Sequence, residues 1–200
     1  CNDLARRLGL SWECWGRWET QSPQGRLAAL SLGRMSWRAQ ADAPQPDGSD
    51  VFINNAGFGR PRTSYKRKDS PWRVLRSFKS LGVTVRWGDG HLTARAYFGL
   101  AALGPYFSGG LHFEKDLSPE DGVLRFYLVP ARSKIRLALR LARGRLGAPL
   151  FDEKVTKISA PRLSVESESP LWPQADGEPP AAKAARRVDF ELLTPRAKLW

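Results

Sequence analysis

The sequence predicts a mostly antiparallel β-sandwich with a few helices. Short runs with strand-like alternation dominate after residue 50, turn signals separate them at short intervals, and one well-marked helical pattern interrupts them. Two further helical stretches ahead of residue 40 make the class mostly β with α. The sequence has no internal repeat.

Residues 2–10 read as a short helix that Asn2 or Asp3 can cap and Gly9 can end. Residues 24–32 read as a second helix, and 41–50, rich in Ala, Pro, Asp and Gly, as a loop. Val51, Phe52 and Ile53 form a short apolar run ahead of Gly57 and Gly59. Residues 65–70 are basic and read as exposed. Pro71 opens the next element, where Trp72, Leu75 and Phe78 recur at helical spacing over 72–81. Residues 83–87 alternate like a half-buried strand. Gly88, Asp89 and Gly90 signal a hairpin turn, and 93–100 is its return strand.

Residues 104–110 are a glycine-rich turn, 111–113 a short strand, 118–122 a strong turn and 123–129 a strand. Residues 131–143 form a basic amphipathic helix with Ile135, Leu139 and Ala142 on one side, closed by Gly144. Strands follow at 154–159, 162–168 and 187–193. A hairpin around Asp176, Gly177 and Glu178 and a small-residue loop at 181–185 separate the last two.

Composition narrows the class. Hydrophobic content of 42% and charged content of 26% are those of a globular chain that buries a core, and 200 residues suit one domain, or one domain and part of another. The chain opens at Cys1 without a signal-peptide pattern and reads as a truncated reading frame. No apolar run approaches the roughly 18 residues of a membrane-spanning helix. Cys1 and Cys14 offer neither a disulfide framework nor a zinc set, which fits a reducing cytoplasm.

The net charge of +12 suits an anionic lipid surface or nucleic acid, although the basic residues are scattered. The densest stretch runs through Arg60, Arg62, Lys66, Arg67, Lys68, Arg73 and Arg76. Beside it, Trp72 and Phe78 either insert at a membrane interface or face the core. Nucleic acid is not among the expected partners, because no strand motif interleaves aromatic and basic residues.

Three acidic positions sit in turns that fix their direction. Asp3 lies at a helix start, where a carboxylate usually caps. Asp121 lies in the turn of Ser118 to Val123, which is ordinary turn chemistry and can also converge backbone carbonyls and one carboxylate on a hard cation. Asp176 and Glu178 flank Gly177. A plain hairpin turn explains them, and so does a pair in which one accepts a proton while the other helps hold a metal.

The order of these segments resembles a known family. Residues 1–10 (CNDLARRLGL) are similar to the GTxNDLARxLGL segment of bacterial diacylglycerol-kinase-type lipid kinases, without the leading Gly-Thr. Residues 52–59 (FINNAGFG) resemble that family's FiNvaxlG strand and turn, and 106–110 with 118–124 its yfGGG and DpxDGxLdv segments. Residues 133–144 resemble the following helix, 174–179 (QADGEP) the DGEp motif, and 188–193 the final strand.

The resemblance implies a two-domain enzyme. Residues 1–40 would be the remnant of an α/β ATP-binding domain whose GGDGT loop precedes this chain, and 41–200 the β-sandwich domain. ATP and Mg2+ are the implied cofactors. Asp176 is implied as general base, Glu178 and Asp3 as the acidic network around the catalytic magnesium, and Asn2 as a nucleotide contact. Asp121, with the carbonyls of Ser118 and Val123, would match a structural magnesium site.

The implied reaction is ATP-dependent phosphorylation of a lipid hydroxyl, chiefly of diacylglycerol, at the inner face of the membrane. Another lipid such as a sphingoid base, or a non-catalytic lipid-binding module of the same fold, is the alternative. A homodimer is compatible with the resemblance. Without the GGDGT loop, these 200 residues alone are expected to be inactive.

Overall fold

A computed structural model of the chain describes residues 28–59, 75–107, 111–112, 117, 121–146, 148, 151, 153–178 and 184–199. The helix expected at 2–10 and the basic run at 65–70 lie outside them. In chain order the elements are β1 (Ala28–Arg38), β2 (Gly48–Phe52), β3 (Asn55–Phe58), β4 (Leu81–Trp87), β5 (Gly90–Ala102), β6 (Tyr106–Phe107) and β7 (Leu111–His112). Then come β8 (Arg125–Pro130), α1 (Lys134–Arg145), β9 (Thr156–Ser159), β10 (Arg162–Leu171), β11 (Pro173–Ala175) and β12 (Ala185–Leu199).

The expected antiparallel β-sandwich is what forms. Ten strands join in the order β11-β3-β5-β4-β10-β12-β1-β2, with β8 on β5 and β9 on β8, while β6 and β7 form a separate hairpin. Strand β5 is the pivot. Its first half pairs with β4 from Leu81↔Ala96 to Trp87↔Gly90, and its second half pairs with β3 and β8. The two-residue turn between β4 and β5 carries Gly88 at φ +47, as the Gly-Asp-Gly signal predicts.

Burial follows from this pivot. Along β4, Leu81, Val83 and Val85 face the core and Gly82 and Arg86 face water, the period of a half-buried strand. The last seven residues of β5 are all buried, because its second half has a layer on each face. One core lies between the two halves of the ten-stranded sheet, around Phe52, Phe58, Phe126 and Phe190. A second lies on the opposite face of β5 and β8, where Leu100, Tyr127 and Val129 meet Leu137 of α1.

Three expectations change. Residues 28–32, expected to be the end of a helix, lie in β1, whose register with β12 and β2 buries Ser31, Gly33 and Met35 at every second position. Pairing with β12 outweighs the helix propensity of Ala and Leu there. The loop at 41–50 gives its last three residues to β2. In the 72–81 stretch, 75–77 are helical and Leu81 opens β4. Phe78 rests on Phe98 with ring centroids 5.5 Å apart, so it faces the core rather than an interface.

Helix α1 begins one turn later than expected. Ser133 caps it, its hydroxyl accepting from the Arg136 N–H at 3.4 Å, and Gly144 lies inside it rather than closing it. Its packed side is Leu137, Ala138 and Leu141, while the side that carries Ile135 and Leu139 faces water.

Candidate active site

The Asp-Gly-Glu segment is a two-residue hairpin turn. The Ala175 N–H donates to the Glu178 carbonyl at 2.9 Å, and the Glu178 N–H donates to the Ala175 carbonyl at 2.8 Å. Both central residues are left-handed, Asp176 at φ +47 and Gly177 at φ +86. Such turns take Asp-Gly because glycine adopts this region freely and aspartate tolerates it.

Pairing of β11 with β3 hangs this turn beside the corner between β2 and β3. The Asp176 N–H donates to the Asn55 carbonyl at 2.7 Å. The Asp176 side chain folds onto the same corner. Its Oδ1 accepts from the amides of Asn54 and Asn55, each at 2.9 Å, and its Oδ2 from the amide of Ile53 at 2.8 Å. Three successive N–H groups thus cradle one carboxylate, as in an anion-binding nest. Asn54 and Asn55 are buried, and the Asn54 carbonyl accepts from Leu103 at the end of β5. The corner is therefore tied to β5, β11 and the turn at once. Glu178 is exposed on the rim.

Close backbone approach holds β3 there. A Cβ on Gly57 would lie 2.4 Å from the Gly99 carbonyl oxygen of β5. Gly57→Ala is expected to push β3 off β5 and to cost about 1–3 kcal/mol. Gly82→Ala, on the exposed face of β4 with nothing within 4 Å, is the control and should cost almost nothing. Thermal unfolding of the two variants measures the difference.

Of the other residues expected at a site, Asn2, Asp3 and Ser118 lie outside the described residues. Asp121 is exposed and Val123 half-buried in the stretch that leads into β8, where Gly122 takes φ +67. Among the described residues no three His, Cys, Asp or Glu side chains cluster as a metal site.

Sequence reading missed the amides of Ile53, Asn54 and Asn55 as functional groups. A backbone donor has no residue-type signature, and the similarity of 52–59 to a family motif was its only trace.

A groove of about 470 Å³ lies elsewhere, on the outer face of β4, β10, β12 and β1, and none of the expected site residues lines it. Five arginines there, Arg34, Arg38, Arg86, Arg162 and Arg187, share three carboxylates, Glu166, Asp189 and Glu191. Arg162 reaches Glu191 at 2.6 Å, Arg187 reaches Asp189 at 2.9 Å and Glu166 at 3.4 Å, and Arg38 also pairs with Asp189. An ion-pair ladder with Arg162 largely exposed is solvated and worth little to stability, and two arginines in excess leave this face positive. The turn and its amide cradle are the better site.

A family model, the YegS C-terminal NAD kinase beta sandwich-like domain, matches residues 50–196, which include the corner, the cradle and the turn. No curated protein matches the chain by sequence. Among solved structures, a diacylglycerol kinase from Bacillus anthracis str. Sterne is similar, with a TM-score of 0.64 at 17% identity, over 96% of this chain and 60% of that one. Yeast NADH kinase complexed with NADH is similar with a TM-score of 0.54 at 10% identity, over 92% of this chain and 47% of that one. The chain thus spans less than two thirds of the length of either, and these likenesses carry the fold.

Proposed function

The chain belongs to the family of YegS C-terminal NAD kinase β-sandwich-like domains, and from this premise we propose that it is part of an ATP-dependent lipid kinase that phosphorylates the hydroxyl of diacylglycerol to give phosphatidic acid. The observation that carries the reading is the Asp176 carboxylate held by three backbone amides at a conformationally fixed turn. A carboxylate has about four acceptor sites. Three are taken, which leaves about one, on Oδ2, to receive a hydroxyl from a defined direction. Phosphoryl transfer through a loose transition state asks mainly for such positioning, since little charge develops on the attacking oxygen until late. The hydroxyl proton passes to Asp176 as the oxygen bonds to the γ-phosphorus of ATP and the bond from that phosphorus to ADP breaks.

Glu178, exposed on the rim, and Asp3 are proposed to hold magnesium together. Carboxylate oxygens are the hard donors that this ion takes, and Glu178 is exposed. When bound, magnesium offsets the negative charge of the nucleotide phosphates. Asn2 is proposed as a nucleotide contact, and Asp121 with the carbonyls of Ser118 and Val123 as a second, structural magnesium site. Cytoplasmic placement at the inner membrane face accords with the lipid substrate. Among the described residues no helix is long and apolar enough to cross a membrane.

The test is transfer of labelled phosphate from Mg-ATP to diacylglycerol, a sphingoid base and NADH. The chain is assayed as it stands and joined to whatever coding sequence precedes Cys1. NADH belongs in the panel because of the yeast kinase of like fold. Label is expected in diacylglycerol with the longer product, and Glu178→Gln should reduce it roughly 100-fold or more. Label in NADH alone, or none in any acceptor with the longer product, refutes the proposal.

A further inference from the structure

Helix α1 carries two kinds of side chain on its water-facing side. Ile135, Leu139 and Leu146 are 69%, 60% and 87% exposed, and Ala142 is exposed between them. At about 100° per residue these four fall in one stripe about 60° wide. Arg136 and Arg143, both exposed, lie along its flank, and exposed Arg132 stands just ahead of the Ser133 cap. The opposite side, Leu137, Ala138 and Leu141, is packed on the second core, so the outward apolar stripe belongs to neither core.

The charge is of one sign. Residues 131–151 contain six Arg or Lys and no Asp or Glu. The helix is also well fixed. Ser133 caps it, and the Lys134 ammonium donates to the Arg76 carbonyl at 3.1 Å. A soluble partner with an apolar groove would suit the leucines alone. A leucine stripe edged by arginines matches the boundary where acyl chains meet anionic headgroups.

We propose that the exposed side of α1 docks the protein on an anionic lipid bilayer, with Ile135, Leu139 and Leu146 entering the acyl boundary and Arg132, Arg136 and Arg143 meeting phosphate headgroups. The docking surface rests on the lipid-kinase reading for its purpose. It presents the chain to a substrate that stays in the membrane.

The experiment is co-sedimentation of the 200-residue chain with vesicles of phosphatidylcholine and of phosphatidylcholine mixed with phosphatidylglycerol, without nucleotide. The chain should partition at least about tenfold more strongly to the mixed vesicles and lose that preference as salt rises. The variant Ile135→Ser, Leu139→Ser, Leu146→Ser should weaken partitioning at least about tenfold at unchanged melting temperature. Val51→Ser, which removes an apolar residue exposed elsewhere, should not weaken it. The variant Arg132→Glu, Arg136→Glu, Arg143→Glu should abolish the preference for phosphatidylglycerol.

Equal binding to both vesicle types overturns the proposal. So does full binding by the serine variant, or a change in oligomeric state alone, which would assign the stripe to a second copy. Vesicle binding by the chain, with no phosphate transfer by the longer product, fails the kinase reading and leaves the docking surface standing.

Discussion

Asp176→Ala is expected to lower stability by about 2–4 kcal/mol and to remove the phosphoryl transfer proposed for the site. Two costs combine. Three amides lose a charged acceptor, and those of Asn54 and Asn55 belong to buried residues, so the penalty is larger than for exposed groups. Alanine must also occupy φ +47, which aspartate tolerates and alanine does not. For a chain of this length the fall in melting temperature should be about 5–15 °C.

Asp176→Asn separates the two roles. Asparagine accepts the left-handed conformation and keeps one carbonyl oxygen for the amides of Asn54 and Asn55. Its NH2 group, placed at Oδ2, faces the Ile53 N–H and cannot accept a proton. Stability should fall by only about 1–2 kcal/mol while transfer falls by roughly 100-fold or more. Circular-dichroism melting and the labelled-phosphate assay, run on both variants, read the two effects independently. If Asp176→Asn transfers phosphate at the parent rate, Asp176 acts only as a clamp and the base lies elsewhere.

That clamp shows where sequence reading stops. Gly88-Asp89 and Asp176-Gly177 were legible as hairpin turns, because left-handed φ selects for glycine and its polar neighbours. The strand β4 was legible because one of its faces is wet. The return strand over 93–100 was legible from its turn, although two cores cover the end of β5 and erase the alternation there.

Residues 28–32 misled for the opposite reason. Ala and Leu there carry helix propensity, whereas the period-2 burial of β1 is imposed by strands more than 150 residues later in the chain. In α1 both sides carry apolar residues, so periodicity found the stripe of Ile135, Leu139 and Ala142 without telling whether it faced the core. At the site, residue type announces a carboxylate. The direction of Asp176 is set by the backbone of residues 53–55, about 120 positions away, and backbone amides leave no mark in composition.

Phe126→Ala should be the most destabilising single change in the core, at about 3–5 kcal/mol, or a fall of roughly 10 °C or more in melting temperature. The ring is fully buried and links the sheet halves. It stacks on Phe58 of β3 at 6.4 Å and meets Phe190 of β12 at 5.8 Å. The loss has a specific neighbour. A Cβ on Gly99 of β5 would lie 2.6 Å from Cζ of Phe126 and 2.6 Å from Cε1 of Phe58, so glycine there is the space that these two rings require.

Gly99→Ala alone should therefore cost about 1–3 kcal/mol by overpacking. Added to Phe126→Ala it should cost less, because one of its two clashes is gone and the methyl partly fills the vacated space. A double-mutant cycle in urea is expected to show coupling of about 1 kcal/mol or more toward rescue. Simple additivity would mean that Phe58, not Phe126, sets the limit at Gly99. In that case the ring that holds β3 in place is the one on the strand that carries the amide corner, and the core and the site would be joined through Phe58 alone.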